Sequence, residues 1–342
     1  MDVREFDYEL PPELIAQEPL SERDRSRLLV LERFGEGLRE HRFRDLPDLL
    51  SSRDLLVVND TRVFPARLWA RRKTGRRVEL LALGPGPEGH WRALLRPSKA
   101  VKPGERVVLE DGTEVEVGAR VQGREDRIIR FPAGVDPLAL AEKLGQPPLP
   151  PYIRRPPTEA DRERYQTIFA KKSGSTAAPT AGLHFTEAVT ERLREKGIRI
   201  TSVTLHVGPG TFLPIRAQRV ENHHMHEEFC TVEPEIFRAV EETKAREGKV
   251  VAVGTTVVRA LETAARRGTP ESGFSGWTDL YIYPPFEFLW VDALVTNFHL
   301  PRSSLLVLVC AFAGRERVLR AYQEAVRRRF RFYSYGDAML VY

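Results

Sequence analysis

Residues 249–262 read KVVAVGTTVVRALE, and this stretch decides the fold class. Its four consecutive apolar residues, Val250 to Val253, predict a buried strand of the kind found in parallel sheets. A Gly-Thr-Thr turn follows, and the segment from Val257 to Arg267 has the apolar spacing of a helix. A strand that runs directly into a helix indicates an α/β domain. The N–H groups at such a helix start also suit an anionic ligand group, although most turns of this kind bind nothing.

Other predicted strands of this domain also end in polar residues. Leu55 to Val58 precedes NDTR (59–62), Ile198 to Leu205 precedes HVGPGTF (206–212), and Phe288 to Val295 precedes TNFHLP (296–301). Asp279 to Ile282 is predicted as one more strand. Open α/β sheets bind ligands at the carboxyl ends of their strands, so these polar turns are expected to form a site.

Between these regions the pattern changes. Residues 63–131 contain six short alternating or β-branched runs separated by Gly, Pro and Asp turns, which predicts a small barrel. A proline-rich segment, residues 132–157, returns the chain to the first domain. The predicted fold is an α/β main domain with an inserted all-β barrel domain. Residues 1–62 plus 150–342 form the discontinuous main domain, and residues 63–149 form the barrel.

Composition limits the function classes. The 342 residues are 42% hydrophobic and 30% charged, with a net charge of +5, which is typical of a globular protein and permits an anionic partner. Two cysteines, Cys230 and Cys310, exclude a disulfide framework or a cysteine zinc cluster and favour a reducing cytoplasm. The acidic N-terminus is not a signal peptide, and the longest apolar run, Leu305 to Phe312, is too short to span a membrane.

A second candidate site is the loop SGSTAAPTAGLHFT at residues 173–186. Small residues allow a ligand to approach the backbone closely, and Thr186 is placed to cap the following helix. The alternative is a flexible linker, since Ser/Gly-rich loops often have that role. Pro179, His184 and Phe185 favour the site, because they restrict the loop or are costly in a linker.

Several histidines lie in or beside such loops, namely His184, His206, His226 and His299. Their convergence would give a site that moves protons near neutral pH. The segment HHMHEE (223–228) has two further interpretations. It is either a polar edge that contributes one or two groups to this site, or the ligand set of a metal-dependent hydrolase, formed by His223, His224, His226 and Glu228.

The segment from Arg67 to Arg77 is the most basic part of the chain and contains no acidic residue. Its cations are Arg67, Arg71, Arg72, Lys73, Arg76 and Arg77. A solvated strand edge would explain them, but their density also suits contact with a phosphate backbone. A noncatalytic RNA-binding protein is therefore one alternative function.

Nine segments together resemble the S-adenosylmethionine:tRNA ribosyltransferase-isomerase family of queuosine biosynthesis. They are NDTRV (59–63), YQT (165–167), AAPTAGLHFT (177–186), TLHVGPGTF (204–212), HHMHEE (223–228), GTTVVRALE (254–262), TDLYI (278–282), TNFHLPRS (296–303) and YGDAML (335–340). They extend over most of the chain, and the barrel matches only in outline. The resemblance implies transfer and isomerisation of the ribosyl group of S-adenosylmethionine onto the aminomethyl group of prequeuosine at the tRNA wobble position, with release of adenine and methionine.

The resemblance also implies partners. The expected substrates are S-adenosylmethionine, as co-substrate, and the prequeuosine tRNA. No permanently bound cofactor, metal or membrane is expected, and the protein is expected to be a cytoplasmic monomer.

The resemblance further suggests roles for individual residues. The catalytic set is His184, His206, Asp60 and His226, with Arg62 beside Asp60 in substrate orientation. Within it, His184 and His206 would transfer protons or contact ribose. Thr255, Thr256 and Arg259 would bind the methionine carboxylate, while His226, Asn297 and His299 would contact adenine or the tRNA base. Thr180 completes the cofactor-binding set, and Arg71, Arg72, Lys73, Arg76 and Arg77 would bind tRNA phosphates.

Overall fold

The computed structural model describes residues 1–86, 90–121, 125–208, 210 and 214–342 of the chain. The first part of the main domain contains Arg27–Leu31 (β1), Leu38–Arg42 (β2), Leu46–Leu49 (α1), Leu55–Asn59 (β3) and Thr61–Val63 (β4). The inserted part contains Arg67–Arg72 (β5), Arg77–Pro85 (β6), Trp91–Arg96 (β7), Glu105–Leu109 (β8), Glu114–Arg120 (β9) and Arg127–Arg130 (β10).

After the barrel the chain forms Pro137–Leu144 (α2), Glu159–Arg164 (α3), Lys172–Ser175 (β11), Glu187–Glu195 (α4), Arg199–Leu205 (β12), Glu228–Val232 (β13) and Pro234–Ala245 (α5). It ends with Val250–Val253 (β14), Thr255–Arg267 (α6), Phe274–Thr278 (β15), Ala293–Asn297 (β16), Ser304–Ala313 (α7), Arg315–Arg327 (α8) and Ala338–Val341 (β17). Short 3-10 helices occur at Val3–Phe6, Pro12–Leu14, Arg23–Arg25, Phe43–Asp45, Thr180–His184 and Val220–Asn222.

Nine strands form the main sheet, in the order β15-β13-β12-β3-β14-β16-β17-β1-β2. The four central strands β12, β3, β14 and β16 are parallel to one another, whereas β13 and β17 pair antiparallel with β12 and β16 on either side. The first four residues of β3 are all apolar because alternate side chains enter different cores. Leu55 and Val57 pack in the core that contains α5 to α8, and Leu56 and Val58 pack in the core that contains α1 and α4. Because both faces are covered, the strand reads as an uninterrupted apolar run.

Strands β5 to β10 close into an antiparallel barrel with its own core. Together with the main sheet, this confirms the predicted α/β main domain with an inserted all-β barrel. The chain enters and leaves the barrel side by side, because Arg67 and Gln146 exchange backbone hydrogen bonds of 3.2 and 2.9 Å. The domain limits at residues 63 and 149 stay a prediction.

One predicted strand, Asp279 to Ile282, is wrong, and another, Phe288 to Val295, is right only from Ala293 onward. Residues 279–282 and 288–292 are not in strands; β15 ends at Thr278, and β16 begins only at Ala293. The carboxylate of Glu262 on α6 accepts the backbone N–H groups of Leu289, Trp290 and Val291, at 2.9 to 3.1 Å, so these donors do not join a sheet. Ile282 and Val291 of this loop are buried in the core that contains α5 to α8, which explains why the segments resemble strands in the sequence.

In the described part of the chain, no helix has both the length and the apolar character needed to cross a membrane. Cys230 and Cys310 are buried free thiols.

Candidate active site

A pocket opens where β14 and β16 end and where α6 and α7 begin. It encloses about 690 Å³, open solvent at its mouth included. Its wall consists of Tyr152, Ala178, Pro179, Thr180, Ala181, Val207, Pro214, Gly254, Thr255, Thr256, Thr296, Asn297, Phe298, His299, Leu300, Ser303, Leu305, Tyr333 and Ser334. None of these described wall residues is Asp, Glu, Lys or Arg, and they offer a ligand helix dipoles, hydroxyls, an amide, an imidazole and apolar contacts.

Helix starts supply the positive potential of the pocket. Gly254 precedes α6 with φ of +94°, a conformation that disfavours other residues, and exposes the N-terminal turn that contains Thr255 and Thr256. Ser303 caps α7 by accepting the N–H of Leu306 at 3.2 Å. Both helix dipoles therefore direct their positive ends toward the pocket, which suits an anionic group.

The imidazole of His299 forms part of the wall. Its Nε2 lies 2.8 Å from the hydroxyl of Thr296, and burial lowers its pKa to about 3. The ring is therefore neutral at physiological pH and offers polarity without charge. Of the predicted binding residues, Thr180, Thr255, Thr256, Asn297 and His299 all line the pocket.

His184 lies behind this wall and does not line it. Its Nδ1 is 2.7 Å from the hydroxyl of Ser26, and its Nε2 is 3.0 Å from Nδ2 of Asn297. The ring stacks on Phe43 with centroids 5.0 Å apart. Burial, with a contribution from Arg23, lowers its pKa to about 3. The structure therefore brings His184 to the site as a support of Asn297.

His206 directly precedes the wall residue Val207, and the carboxylate of Asp60 lies near its ring. The Nδ1 of His206 is 2.8 Å from the hydroxyl of Thr61, and its ring packs on Gly174, where a Cβ atom would approach three ring atoms to 2.7–2.9 Å. Burial lowers the pKa of His206, although the nearby carboxylate of Asp60 acts in the opposite direction. Asp60 itself accepts the Thr204 hydroxyl at 2.7 Å. These contacts fix an imidazole that remains only half-buried.

Arg259 lies outside the pocket wall. Its guanidinium forms a buried ion pair with Glu228 and donates to the carbonyl oxygens of Leu280, at 2.9 Å, and Thr278, at 3.3 Å. Its donors thus fasten α6 to β13 and to the segment that follows β15, and are not available to a ligand in the pocket.

The HHMHEE segment does not form a metal cluster. His226 is exposed and packs on Gly210, while His223 packs edge-on against Tyr281 at 5.1 Å. Glu228 turns inward and pairs with Arg259. Throughout the described ranges, no group of three His, Cys, Asp or Glu side chains is arranged to hold a metal ion. Pro209, Thr211 and Phe212 of the predicted loop lie outside the described residues.

The basic hairpin joins β5 to β6 on the barrel. Arg72 forms a two-pronged ion pair with Glu105, at 2.6 and 3.0 Å. Arg77 stacks on Trp69 with its guanidinium 3.9 Å from the ring centroid. Arg71, Lys73 and Arg76 are exposed. Lys73 and Arg76 have no ion pair with other described residues. With Arg77, which is exposed as well, the hairpin thus presents four cations to solvent.

Several wall residues were not predicted as site residues, among them Tyr152, Ser303, Tyr333 and Ser334. Tyr152 and Tyr333 pack with ring centroids 4.0 Å apart, and the hydroxyls of Tyr152 and Ser334 are hydrogen-bonded. Tyr333 has φ of +74°, a strained conformation for a bulky residue that is often found at functional sites. Of these four, only Ser303 lay within a recognised motif, TNFHLPRS.

Comparison with known proteins gives a consistent result. A family model described as "Queuosine biosynthesis protein" matches residues 3–341. S-adenosylmethionine:tRNA ribosyltransferase-isomerases from Thermotoga maritima and from an Anaeromyxobacter species are 54% and 55% identical to this chain. The alignments cover all of this chain and 100% and 99% of those proteins. A crystal structure of the S-adenosylmethionine tRNA ribosyltransferase from Thermotoga maritima is similar with a TM-score of 0.58 and 43% identity, covering 99% of this chain and 100% of that one.

Proposed function

The chain belongs to the queuosine biosynthesis protein family as an S-adenosylmethionine:tRNA ribosyltransferase-isomerase, and from this premise we propose that the pocket at the starts of α6 and α7 binds S-adenosylmethionine. One observation carries this proposal: an uncharged pocket at the strand ends joins helix N-termini to buried polar side chains. Such a wall suits a ligand with a carboxylate, a cationic sulfonium and a polar aromatic base, because it offers each a partner without a fixed charge.

The proposed reaction transfers the ribosyl group to the aminomethyl group of prequeuosine in tRNA and releases adenine and methionine. It has three physical requirements. A base removes a proton from the ribose carbon attached to sulfur, an acid assists the departure of adenine, and the amine lies in line with the carbon that it attacks.

For binding, we assign the methionine carboxylate to the start of α6. Thr255 and Thr256 offer hydroxyls and N–H groups there, where the helix dipole favours an anion. Thr180, Asn297 and His299 face the remainder of the pocket and are assigned to the adenosyl part. Arg259 serves this site indirectly, by fastening α6 to β13 through Glu228.

For proton transfer, we assign His206. Its ring is half-buried beside the pocket, and the Thr61 hydroxyl at 2.8 Å orients it. Asp60 adds a nearby carboxylate that favours the protonated ring. Arg62 and His226 are both exposed, so we assign them to the incoming tRNA.

The experiment that tests the reaction measures free adenine. The purified protein is mixed with S-adenosylmethionine and an anticodon stem-loop that carries prequeuosine, and adenine and the mass of the RNA are followed. RNA-dependent adenine release with a matching mass gain is expected, and the His206→Ala variant should lose it while remaining folded. Failure of the wild-type protein to release adenine would overturn the proposed function, whereas normal rates in His206→Ala would remove only that residue.

For tRNA binding, we propose three exposed cations of the β5–β6 hairpin, Arg71, Lys73 and Arg76, and leave out Arg77 because it stacks on Trp69. Replacing all three by Gln should weaken tRNA binding and reduce the slope of log affinity against log salt by about 2, since each phosphate contact contributes roughly 0.7 to 0.9. The matched control replaces Arg194, Arg238 and Arg246, which are exposed cations of the main domain. An equal effect in the two triple variants would show a nonspecific charge effect and contradict the assignment.

The two alternatives are not supported. A noncatalytic RNA-binding protein and a metal-dependent hydrolase both disagree with the family relationship over residues 3–341. The cytoplasmic location, the monomeric state and the lack of a permanently bound cofactor remain proposals. Light scattering at micromolar concentration would check the monomeric state, and a single species near 39.0 kDa is expected.

A further inference from the structure

The side-chain amide of Asn297 ends β16 in the wall of the pocket and is only 2% exposed. Its Nδ2 lies 3.1 Å from the carbonyl oxygen of Tyr333 and 3.0 Å from Nε2 of His184. Its Oδ1 is buried and has no hydrogen-bond partner in the described part of the chain. Asn59, at the end of β3, differs, because its Oδ1 accepts two backbone N–H groups at 3.1 Å each. Asn297 therefore holds an acceptor that a bound ligand would satisfy.

The neighbours of Asn297 determine which way its amide faces. A carbonyl oxygen can only accept, so the atom that faces Tyr333 must be the NH2 group. The second N–H of that group points to Nε2 of His184, which must then be the unprotonated ring nitrogen. The ring proton lies on Nδ1 and is donated to the hydroxyl of Ser26 at 2.7 Å, and that hydroxyl donates to the carbonyl oxygen of Arg23 at 3.2 Å.

His184 is thus fully engaged without touching the pocket. Both ring nitrogens have partners, and one ring face stacks on Phe43. No ring atom is left to take a proton from a ligand. What the ring does supply is a second acceptor, beside the Tyr333 carbonyl, that holds the Asn297 amide in this orientation.

We propose that His184 is a positioning residue, which holds the Asn297 amide so that Oδ1 accepts a hydrogen bond from a nitrogen donor of S-adenosylmethionine. This inference rests on the proposed function. The ligand has two such donors, the exocyclic amine of adenine and the α-ammonium group. A buried acceptor of this kind discriminates strongly against a ligand that lacks the donor, because the acceptor is then left unpaired.

Binding of S-adenosylmethionine to single variants tests the role of each residue. Asn297→Ala should weaken binding about 10- to 100-fold. His184→Leu should also weaken binding, since one N–H of the amide is then left unpaired and only the Tyr333 carbonyl holds its orientation. His184→Gln should recover most of the affinity, because its side-chain oxygen can accept from Asn297 in place of Nε2. Equal losses in the Leu and Gln variants would overturn the positioning role.

A double variant tests whether His184 acts through Asn297. If it does, adding His184→Leu to Asn297→Ala should weaken binding no further, so the two effects are not additive. Kinetics should agree, with the change in KM exceeding the change in kcat. A proton-transfer role would instead lower kcat about 10²- to 10⁴-fold in the Leu and Gln variants alike.

Two ligand analogues identify the donor. One carries a 6-oxo group in place of the adenine amine, and the other lacks the α-amino group. The analogue without the relevant donor should bind the wild-type protein about 10- to 100-fold more weakly than S-adenosylmethionine. The Asn297→Ala variant should bind this analogue and S-adenosylmethionine with equal affinity. If Asn297→Ala changes the preference for neither analogue, the inference is wrong.

The failure of this inference is distinct from the failure of the proposed function. If the wild-type protein does not bind S-adenosylmethionine, the proposed function fails. If it binds and Asn297→Ala binds equally well, only this inference fails. Should His184→Leu be unfolded, Ser26→Ala replaces it, because this variant removes the acceptor of the Nδ1 proton with a small change in volume. It should weaken binding without lowering kcat, and a fall in kcat alone would contradict the positioning role.

Discussion

The imidazole of His206 packs so closely on Gly174 that no other residue fits there. A Cβ atom at this position would lie 2.7, 2.8 and 2.9 Å from three ring atoms. Gly174→Ala should therefore displace the ring and reduce adenine release to the level of His206→Ala. Gly208→Ala is the matched control, because its Cβ would only approach Glu228 Oε1 to 3.8 Å. Full activity in Gly174→Ala would show that the position of this ring is unimportant.

Two buried histidines should make the stability depend on pH. Burial lowers the pKa values of His184 and His299 to about 3. The unfolded chain binds protons at these residues below about pH 6.5 while the folded chain does not, so the free energy of unfolding falls as the pH falls from about 6.5 towards 3.

A change from pH 7.5 to pH 5.5 should lower the free energy of unfolding by about 3 kcal/mol through these two residues. Thermal melts would record this as a drop in Tm of several degrees. His184→Gln removes one of the two titrating groups, so its Tm should depend less steeply on pH. A Tm that is flat over this interval in the wild-type protein would contradict the prediction.

At the level of single elements, the end of α5 contains a correctable strain. Glu247 follows the helix with φ of +55°, a left-handed conformation that glycine adopts at little cost. Its side chain is exposed and its ion pair with Arg53, at 3.5 Å, contributes little. Glu247→Gly should raise the free energy of unfolding by about 0.5 to 1 kcal/mol. Arg246→Gly is the control. Arg246 has φ of −94°, which any residue adopts, so this variant should be less stable than the wild-type protein. Thermal melts would show both effects.

Elements also explain where the sequence predictions were wrong. Residues 279–282 alternate in polarity and residues 288–291 form an apolar run, as strands do, yet both segments lie in a loop against the helices. Glu262, fully buried on α6, accepts three backbone N–H groups of that loop. A buried carboxylate thus replaces a neighbouring strand as the acceptor, which a local polarity pattern does not reveal.

At the scale of the whole molecule, the barrel should fold without the main domain. It has its own core, and the chain enters and leaves it side by side at Arg67 and Gln146. The isolated segment 63–149 should melt cooperatively and show a β-rich circular dichroism spectrum. The remainder, closed by a short Gly-Ser linker, should bind S-adenosylmethionine but lose most of its affinity for tRNA. A segment 63–149 without a cooperative transition would contradict the predicted domain limits.

The sequence by itself determined the local units and the family. Apolar runs, Gly-Thr-Thr at a helix start and short alternating strands each reflect neighbouring residues, so they predicted the α/β domain and the six-stranded barrel. Sequence also placed Thr255, Thr256, Asn297 and His299 at strand ends. Because parallel strands bring their carboxyl ends to one edge of a sheet, these residues meet in one pocket.

Only the tertiary structure decided the partners of each polar side chain. Arg259 lies one turn into α6 and seemed free for a carboxylate, but strand β13 brings Glu228 against it. His184 and Asn297 are 113 residues apart, and their contact depends on how the 3-10 helix packs on β16. The physical reason is range: backbone preferences arise from adjacent residues, whereas the partner of a buried polar group depends on strand order and packing across the whole chain.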